Sequence, residues 1–193
     1  MTLRQRRFTW LTILVFICCV VLAHVQRGTC SQEYLTISAD ILNYELTTLD
    51  NRPLKLSDYP EKIIVMNFFA SWCDPCIENL KDLVLLKEEY KAHQIEIVGL
   101  VLNEKDLNSK ALLRLVQDRK VSFSVVLDKG EFGESLKKIV NARDVIPQTF
   151  VIKDGRIWRH FQGYNPVNSP QLLRKALDEL GQGTPSKNPG ASF

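Results

Sequence analysis

Apolar runs of strand length alternate along the chain with apolar positions at helical spacing. Residues 63–69 form a nearly continuous apolar run, which is typical of a strand buried on both faces of a sheet. Residues 95–102 and 123–127 have the same character. Between these strands, residues 77–90 and 107–118 carry apolar side chains three or four positions apart, which predicts two amphipathic helices. The order strand, helix, strand indicates a βαβ unit with a parallel pair of strands.

The predicted helices each have a definable apolar side. In the first it consists of Ile77, Leu80, Leu83, Val84, Leu86 and Tyr90, and in the second of Leu112, Leu113, Leu115 and Val116. A third helix is predicted near residues 131–140. A fourth is expected to begin with Ser169 as its cap and Pro170 in its first turn, and to end at Gly181. Its apolar side consists of Leu172, Leu173, Ala176, Leu177 and Leu180.

Two β-hairpins are predicted, one on each side of the helical part. Residues 44–49 and 54–56 alternate modestly between apolar and polar and flank the polar turn 50–53. Residues 153–156, with the sequence Lys-Asp-Gly-Arg, separate two apolar runs near the carboxyl end of the chain. The last two strands should therefore be antiparallel.

The amino terminus predicts a membrane helix. Arg4, Arg6 and Arg7 precede residues 8–25, an apolar run that nearly spans the hydrocarbon layer of a bilayer. The arginines place the amino terminus in the cytoplasm by the positive-inside rule, so everything after residue 30 is expected outside it, in the periplasm or extracytoplasmic space. Alternatives are a cleaved signal peptide and a lipid anchor on Cys30, and all three put the domain on the same side.

Composition supports one globular domain behind this segment. The chain has 193 residues, of which 45% are hydrophobic and 24% charged, enough for a substantial core. We expect an anchor over residues 1–30, a domain over 31–180 and a flexible tail over 181–193. Because residues 1–30 hold four arginines and no acid, the remainder has 21 basic and 22 acidic groups, a net charge of −1. This balance gives no electrostatic case for nucleic-acid binding.

The candidate chemistry lies in the segment Cys73-Asp74-Pro75-Cys76, where the first strand meets the first helix. The N–H groups and dipole of a helix amino terminus stabilise a thiolate, which makes Cys73 the candidate nucleophile. The spacing puts Cys76 one turn deeper, near enough to form a disulfide with Cys73 or to attack a mixed disulfide there. Pro75 is tolerated in a first helical turn and restrains the pair.

A zinc site and a purely structural disulfide are two other uses of such a motif. A zinc site needs four ligands, but the chain has no second CxxC, and His93 and His160 lack the paired spacing of a metal site. A purely structural disulfide stays open, although a loop this short constrains the unfolded chain little. Redox exchange is the favoured reading, and we expect no metal.

These motifs together resemble the thioredoxin superfamily, and within it the membrane-anchored TlpA/ResA-like group that includes the cytochrome c maturation reductases. The resemblance covers residues from about 40 to 180 and rests on the hairpin, the buried strand leading to Trp72 and the cysteines, and the later segment Ile146-Pro147-Gln148-Thr149-Phe150. It implies an α/β, thioredoxin-like three-layer fold: a mixed central sheet with helices on both faces, an amino-terminal β-hairpin extension and a βα insertion. It also implies that the Ile146–Pro147 peptide bond is cis and faces the cysteines, so that the backbone beside a proline without an N–H binds an extended substrate.

The chain departs from the pattern of the superfamily around Cys76. Thioredoxin has a buried aspartate six residues before the first cysteine, where this chain has Asn67, as TlpA/ResA-like proteins commonly do. Those proteins often place a glutamate three residues after the second cysteine, where this chain has Asn79. Glu78 lies one residue too early and about 200° around the helix from Cys76, so it should face away. The proton acceptor for Cys76 is not identified by the sequence.

The favoured function is a thiol–disulfide oxidoreductase without a cofactor, since no phosphate-binding glycine loop or dinucleotide fingerprint is present. Asp74 should oppose a thiolate on Cys73, which favours a reductant. The resemblance implies disulfides of exported proteins, such as apocytochrome c, as substrates and a membrane thiol transporter as electron donor. Alternatives are a disulfide-donating oxidase and a non-catalytic chaperone or metal-delivery module.

Overall fold

The structure of the protein is a computed structural model that describes residues 35–102 and 110–181. The strands in these ranges are β1 (Leu35–Thr36), β2 (Leu46–Thr48), β3 (Pro53–Leu54), β4 (Ile63–Phe69), β5 (Ile95–Val101), β6 (Ser124–Leu127), β7 (Gln148–Lys153) and β8 (Arg156–Gln162). The helices are α1 (Ala39–Leu42), α2 (Asp74–Glu89), α3 (Lys110–Asp118), α4 (Glu131–Ile139) and α5 (Ser169–Gly181).

The strands form one mixed sheet in the spatial order β1-β8-β7-β4-β5-β6-β2-β3. At its centre, β4 pairs with β5 in parallel and with β7 antiparallel, and all seven residues of β4 are buried. The parallel pairing continues from β5 to β6. The predicted central strand and βαβ arrangement are therefore confirmed.

Both predicted hairpins are present. In the first, Leu46 of β2 lies opposite Leu54 of β3, and β2 joins the sheet beside β6. In the second, β7 and β8 pair antiparallel around Asp154 and Gly155, whose φ angles of 51° and 68° lie in the left-handed region that tight hairpin turns require.

Two apolar layers hold the helices to the sheet. Leu80 and Leu83 of α2, Leu112 of α3 and Leu177 of α5 pack on one face. Phe132 and Leu136, both from α4, pack on the other face, against Met66 and Phe150 among others. Since alternate residues of a strand point to opposite faces, β4 contributes to both layers. The mixed sheet with helices on both sides is the expected three-layer, thioredoxin-like fold.

Two details of the predicted helices are wrong. The apolar pattern predicts that Leu113 lies on the buried side of α3, but its side chain is 49% exposed whereas Leu112 is buried, because the buried stripe of this short helix is narrower than its apolar pattern. Ser169 does not cap α5. Ser169 is instead the first residue of the helix, and the side-chain oxygen of Asn165, which also precedes a proline, accepts hydrogen bonds from the N–H groups of Val167 and Asn168 and so caps the turn that leads into α5.

Several predictions fall outside the described ranges. They are the membrane segment at residues 8–25, the role of Cys30, residues 107–109 of the second predicted helix and the tail beyond Gly181. Within residues 35–102 and 110–181, no helix combines the length and apolar character needed to cross a bilayer. The division of the chain into anchor, domain and tail stays a prediction.

Candidate active site

The two cysteines stand at the amino terminus of α2. Cys73 is the N-cap residue, in extended conformation, and Cys76 lies in the first turn of the helix behind Pro75. Their sulfur atoms form a disulfide, and the Cys76 N–H donates a hydrogen bond of 3.3 Å to Cys73 Sγ. This N–H and the helix dipole also stabilise a thiolate on Cys73 once the disulfide is opened.

The two sulfurs differ in their access to solvent. Cys73 keeps 6% of its surface exposed, whereas Cys76 has none and belongs to the core layer under α2. Trp72, directly before Cys73, is 62% exposed, and Asp74 is exposed directly after it. An incoming disulfide therefore meets Cys73 first, and Cys76 lies where a mixed disulfide on Cys73 is within its reach.

The segment that contains Pro147 lies at the same end of the central strands as the two cysteines. Phe68 of β4 pairs with Gln148, the first residue of β7, so Pro147 lies beside the end of β4 that leads to Cys73. The Ile146–Pro147 peptide bond is cis, as the resemblance implied. The Pro147 carbonyl accepts a hydrogen bond of 2.8 Å from the N–H of Gly163. The carboxyl end of β4 thus brings Cys73 and Pro147 together.

The side chain of Gln148 holds the loop that precedes Pro147, a role that the sequence did not indicate. Its buried side chain donates hydrogen bonds from Nε2 to the carbonyl oxygens of Arg143 (2.8 Å) and Val145 (2.7 Å). Its Oε1 lies 2.8 Å from Nε2 of His160. One amide therefore joins the loop before Pro147 to strand β8.

His160 is neutral at physiological pH. Burial lowers the pKa of its imidazole to about 4, and the ring stacks on Phe150 with a centroid distance of 4.4 Å. Because Gln148 uses its Nε2 to donate to carbonyls, its oxygen must accept from His160, which places the imidazole proton on Nε2. The hydrogen bond between His160 and Gln148 therefore forms with the neutral imidazole.

Asn67 lies below the cysteine segment, fully buried in β4. Its Nδ2 donates to the Gln148 carbonyl (3.2 Å) and to Thr149 Oγ1 (2.9 Å). Its Oδ1 has no hydrogen-bond partner in the described part of the chain, which is unusual for a buried carbonyl. Asn67, which we expect to help shape the site because it occupies the position of thioredoxin's buried aspartate, is therefore hydrogen-bonded to β7.

The two polar residues that follow Cys76 point in different directions. Asn79 is buried on the inner side of α2. Glu78 is exposed, and Lys81 donates a hydrogen bond to it (2.7 Å) that lowers the pKa of its carboxyl. The expectation that Glu78 faces away from the cysteines is confirmed.

Comparisons with known proteins agree with this geometry. The Redoxin family model matches residues 25–177. The thiol-disulfide oxidoreductase ResA of Bacillus thuringiensis subsp. konkukian is 28% identical over 166 residues, which cover 83% of this chain and 91% of that protein. ResA of Bacillus cereus strain ATCC 10987 is 30% identical over 135 residues, covering 68% of this chain and 73% of that protein.

Solved structures show the same fold. StoA from Bacillus subtilis matches with a TM-score of 0.55 at 18% identity, covering 69% of this chain and 95% of that one. A thiol:disulfide interchange protein of the thioredoxin family from Chlorobium tepidum matches with a TM-score of 0.58 at 20% identity, covering 69% and 92%. With its paired cysteines, the chain belongs to the Redoxin family as a thiol–disulfide oxidoreductase of the ResA-like group.

Proposed function

We propose that the protein reduces disulfides in exported proteins, with apocytochrome c as one candidate substrate, while tethered to the cytoplasmic membrane by its amino-terminal segment. The observation that best supports this proposal is the difference in position and exposure between the two cysteines: Cys73 is the helix N-cap, and Cys76 is fully buried one turn deeper. Cys73 attacks the substrate disulfide, and Cys76 then attacks the mixed disulfide and releases the reduced substrate.

The edge beside Pro147 suits an extended peptide. A proline has no N–H, and the side chain before it, Ile146, is only partly buried. Val145 (39% exposed) and Trp72 (62% exposed) are large apolar side chains that solvent reaches in the segments next to Pro147 and Cys73. A substrate strand bound here would present its disulfide to Cys73.

The direction of exchange is part of the proposal. Asp74 is exposed next to Cys73 and its negative charge disfavours the thiolate, whereas strong oxidants owe their potential to a stabilised thiolate. A membrane thiol transporter is the proposed electron donor, because no nucleotide-binding motif supplies one within the chain.

The reduction potential of the Cys73–Cys76 pair tests this direction. The full chain, with Cys18, Cys19 and Cys30 changed to serine, is equilibrated in dithiothreitol and glutathione buffers, and its thiols are counted by alkylation. We expect a value nearer the ~−270 mV of thioredoxin than the ~−120 mV of a strong periplasmic oxidant. A value near the upper figure would make the protein a disulfide donor instead.

Serine variants separate catalysis from simple binding. Cys73→Ser should abolish exchange with a peptide disulfide, whereas Cys76→Ser should still attack and accumulate the mixed disulfide, which mass spectrometry detects. If the double variant still protects an unfolded exported protein from aggregation while the wild type never exchanges, the protein is a binding module.

A further inference from the structure

The loop of residues 163–168, which connects β8 to α5, begins at the segment that contains Pro147. The N–H of Gly163 donates a hydrogen bond of 2.8 Å to the carbonyl of Pro147. This bond continues the β7–β8 ladder by one residue, because Gln148 and Gln162 are paired directly before it. The loop is therefore attached to the residue beside which an extended substrate is proposed to bind.

The chain turns away from the sheet at Gly163. The φ angle of this residue is 76°, in the left-handed region that residues with a β-carbon rarely adopt. No atom in the described part of the chain lies within 4 Å of the position that a β-carbon would take, so glycine serves the backbone conformation here and not close packing. The turn lets the next residue, Tyr164, leave the sheet and reach helix α2.

Tyr164 fastens the loop to α2. Its hydroxyl donates a hydrogen bond of 2.5 Å to Oδ2 of Asp82, and both side chains are half-buried. Tyr164 lies in a narrow cleft between α2 and α5 that is also lined by Leu83, Leu86 and Leu173. Burial, and then the bond to Asp82, raise the pKa of Tyr164, so its hydroxyl keeps its proton and remains a donor at ordinary pH.

The rest of the loop is shaped by hydrogen bonds of its own. The side-chain oxygen of Asn165 accepts from the two N–H groups that cap the turn before α5, and the Asn165 N–H donates to Ser169 Oγ at 2.9 Å. These bonds reach neither α2 nor Pro147. Within residues 35–102 and 110–181, the bond from Tyr164 to Asp82 is thus the one side-chain hydrogen bond that joins this loop to α2.

We propose that the hydrogen bond between Tyr164 and Asp82 sets the spacing between Pro147 and the amino terminus of α2, and so adapts the site to an extended peptide. Gly163 holds Pro147 and Tyr164 holds α2, so the loop joins the two sides between which a substrate strand must fit. Tyr164 is a positioning residue, since it acts through Asp82 and not on the reacting sulfurs. This inference rests on the proposed function, because it concerns how the same site binds its substrate.

Two kinds of disulfide separate positioning from chemistry. A small disulfide needs only access to Cys73, whereas an extended peptide also binds along the segment that contains Pro147. Without the bond between Tyr164 and Asp82, the loop can move about Gly163, and Pro147 can then shift relative to Cys73. The loss should therefore weaken the binding of a peptide, while the attack of Cys73 on a small disulfide is unchanged.

Single-turnover kinetics with both kinds of disulfide test the proposal. The full chain, with Cys18, Cys19 and Cys30 as serine, is reduced, freed of reductant and mixed with an excess of a synthetic peptide that has one internal disulfide. The rate at several peptide concentrations gives a limiting rate and a half-saturating concentration, the counterparts of kcat and KM. The reaction with dithiobis(nitrobenzoate) reports the attack of Cys73 on a small disulfide.

Tyr164→Phe removes the hydroxyl and keeps the ring. We expect its half-saturating peptide concentration to rise by roughly three- to tenfold, the range that the loss of one hydrogen bond produces. Its limiting rate, and its rate with dithiobis(nitrobenzoate), should stay within about twofold of the wild type. Asp82→Asn keeps an oxygen that can accept from Tyr164, so its half-saturating concentration should rise by less.

Tyr90→Phe is the matched control. The hydroxyl of Tyr90, at the carboxyl end of α2, donates a hydrogen bond of 2.6 Å to Asp178 of α5, so this change removes the same kind of bond from the same helix. Its half-saturating concentration should equal that of the wild type. The inference is overturned if Tyr164→Phe raises this concentration no more than Tyr90→Phe does, or slows the small disulfide as much as the peptide.

A double variant shows whether Tyr164 and Asp82 act through one bond. Asp82→Ala should raise the half-saturating concentration as much as Tyr164→Phe, and the two changes together should raise it no further, since either one removes the bond. Effects that multiply in the double variant would overturn the inference. If the wild type does not reduce the peptide, it is the proposed function that fails, so the two failures can be told apart.

Discussion

The segment that carries Cys73 and the segment that carries Pro147 lie side by side at the carboxyl end of β4, but they are ordered in different ways. The first runs directly into the sixteen-residue helix α2, and Cys73 is the residue that caps it. Helical hydrogen bonds and the apolar side of α2 then fix its position. Residues a few positions apart in the sequence supply nearly all of its local geometry.

The segment before Pro147 has no regular structure and depends on side chains from elsewhere. Gln148 binds the carbonyls of Arg143 and Val145, and Gln162 Oε1 accepts a hydrogen bond of 2.9 Å from the Arg143 N–H. His160 of β8 in turn holds Gln148. The difference indicates that the substrate edge and the reacting sulfurs can be disturbed separately.

Among the variants that separate these two segments, Gln148→Ala should have the largest effect on stability and on substrate binding. The change leaves two loop carbonyls and the imidazole N–H of His160 without their partner, and we expect the free energy of unfolding to fall by roughly 3–4 kcal/mol. Reduction of a peptide disulfide should show a raised KM, while the rate of Cys73 with a small disulfide changes little. Urea unfolding and steady-state kinetics with both substrates measure this.

Gln162→Ala is the matched control for Gln148→Ala. It removes a single hydrogen bond to the same loop, at an exposed position, so its cost should stay below about 1 kcal/mol. Equal losses for both variants, or a loss of Cys73 reactivity in Gln148→Ala, would contradict the separation of the two segments.

A pH-dependent stability change is expected next, from His160. Its pKa is lowered by burial to about 4 in the folded chain, against an ordinary value of 6.5. Between these values the unfolded chain binds a proton that the native imidazole does not, so stability is lost as the pH falls. Because the ring is only half-buried and solvent screens part of its charge, the loss at pH 4 should stay below the roughly 3 kcal/mol that a shift from 6.5 to about 4 would give at full strength.

His160→Phe isolates this contribution. The variant keeps a ring to stack on Phe150 but has nothing to titrate, so its free energy of unfolding should change less between pH 6.5 and 4 than that of the wild type. The lost hydrogen bond to Gln148 lowers the stability of the variant at every pH. The quantity to compare is therefore the change in the free energy of unfolding with pH. Parallel slopes in denaturant titrations at several pH values would mean that His160 is not buried as a neutral ring.

The same contrast explains what the sequence predicted well. The bounds of β4 and the start of α2 follow from an apolar run and from a cysteine beside a proline, signals that are local in the chain. The cis bond at Pro147 was available through the family resemblance. The roles of Gln148 and His160 were not predicted, because they depend on which residues β7 and β8 bring together.

Errors of prediction have the same origin. Asn165 and Ser169 both precede a proline, and only the path of the chain after β8 decides that Asn165 caps the turn before α5 while Ser169 is the first residue of the helix. Leu112 and Leu113 are equally apolar, and only the helix rotation in the packed structure decides which one is buried.

The smallest effect is expected for the ion pair at the far end of the proline segment. The Lys137 side chain, only 8% exposed, contacts Asp144 Oδ1 at 2.7 Å and Glu134 Oε1 at 2.6 Å. The Asp144 side chain is 96% exposed, so solvent screens this pair, and Asp144→Asn should cost less than about 1 kcal/mol. Substrate KM should change less than in Gln148→Ala.

The pH dependence of this small effect has a defined sign. The hydrogen bond from Lys137, and then its charge, lower the pKa of Asp144 below the ordinary 3.8. The contribution is therefore present above pH 3.8 and is lost as the pH falls through the folded value, so wild type and Asp144→Asn should converge in strong acid. Glu134→Gln, which leaves Asp144 on Lys137, is the control. A double change strips the buried ammonium of both partners, and its cost should exceed the sum of the single ones, because a buried charge tolerates the loss of one partner far better than the loss of the last.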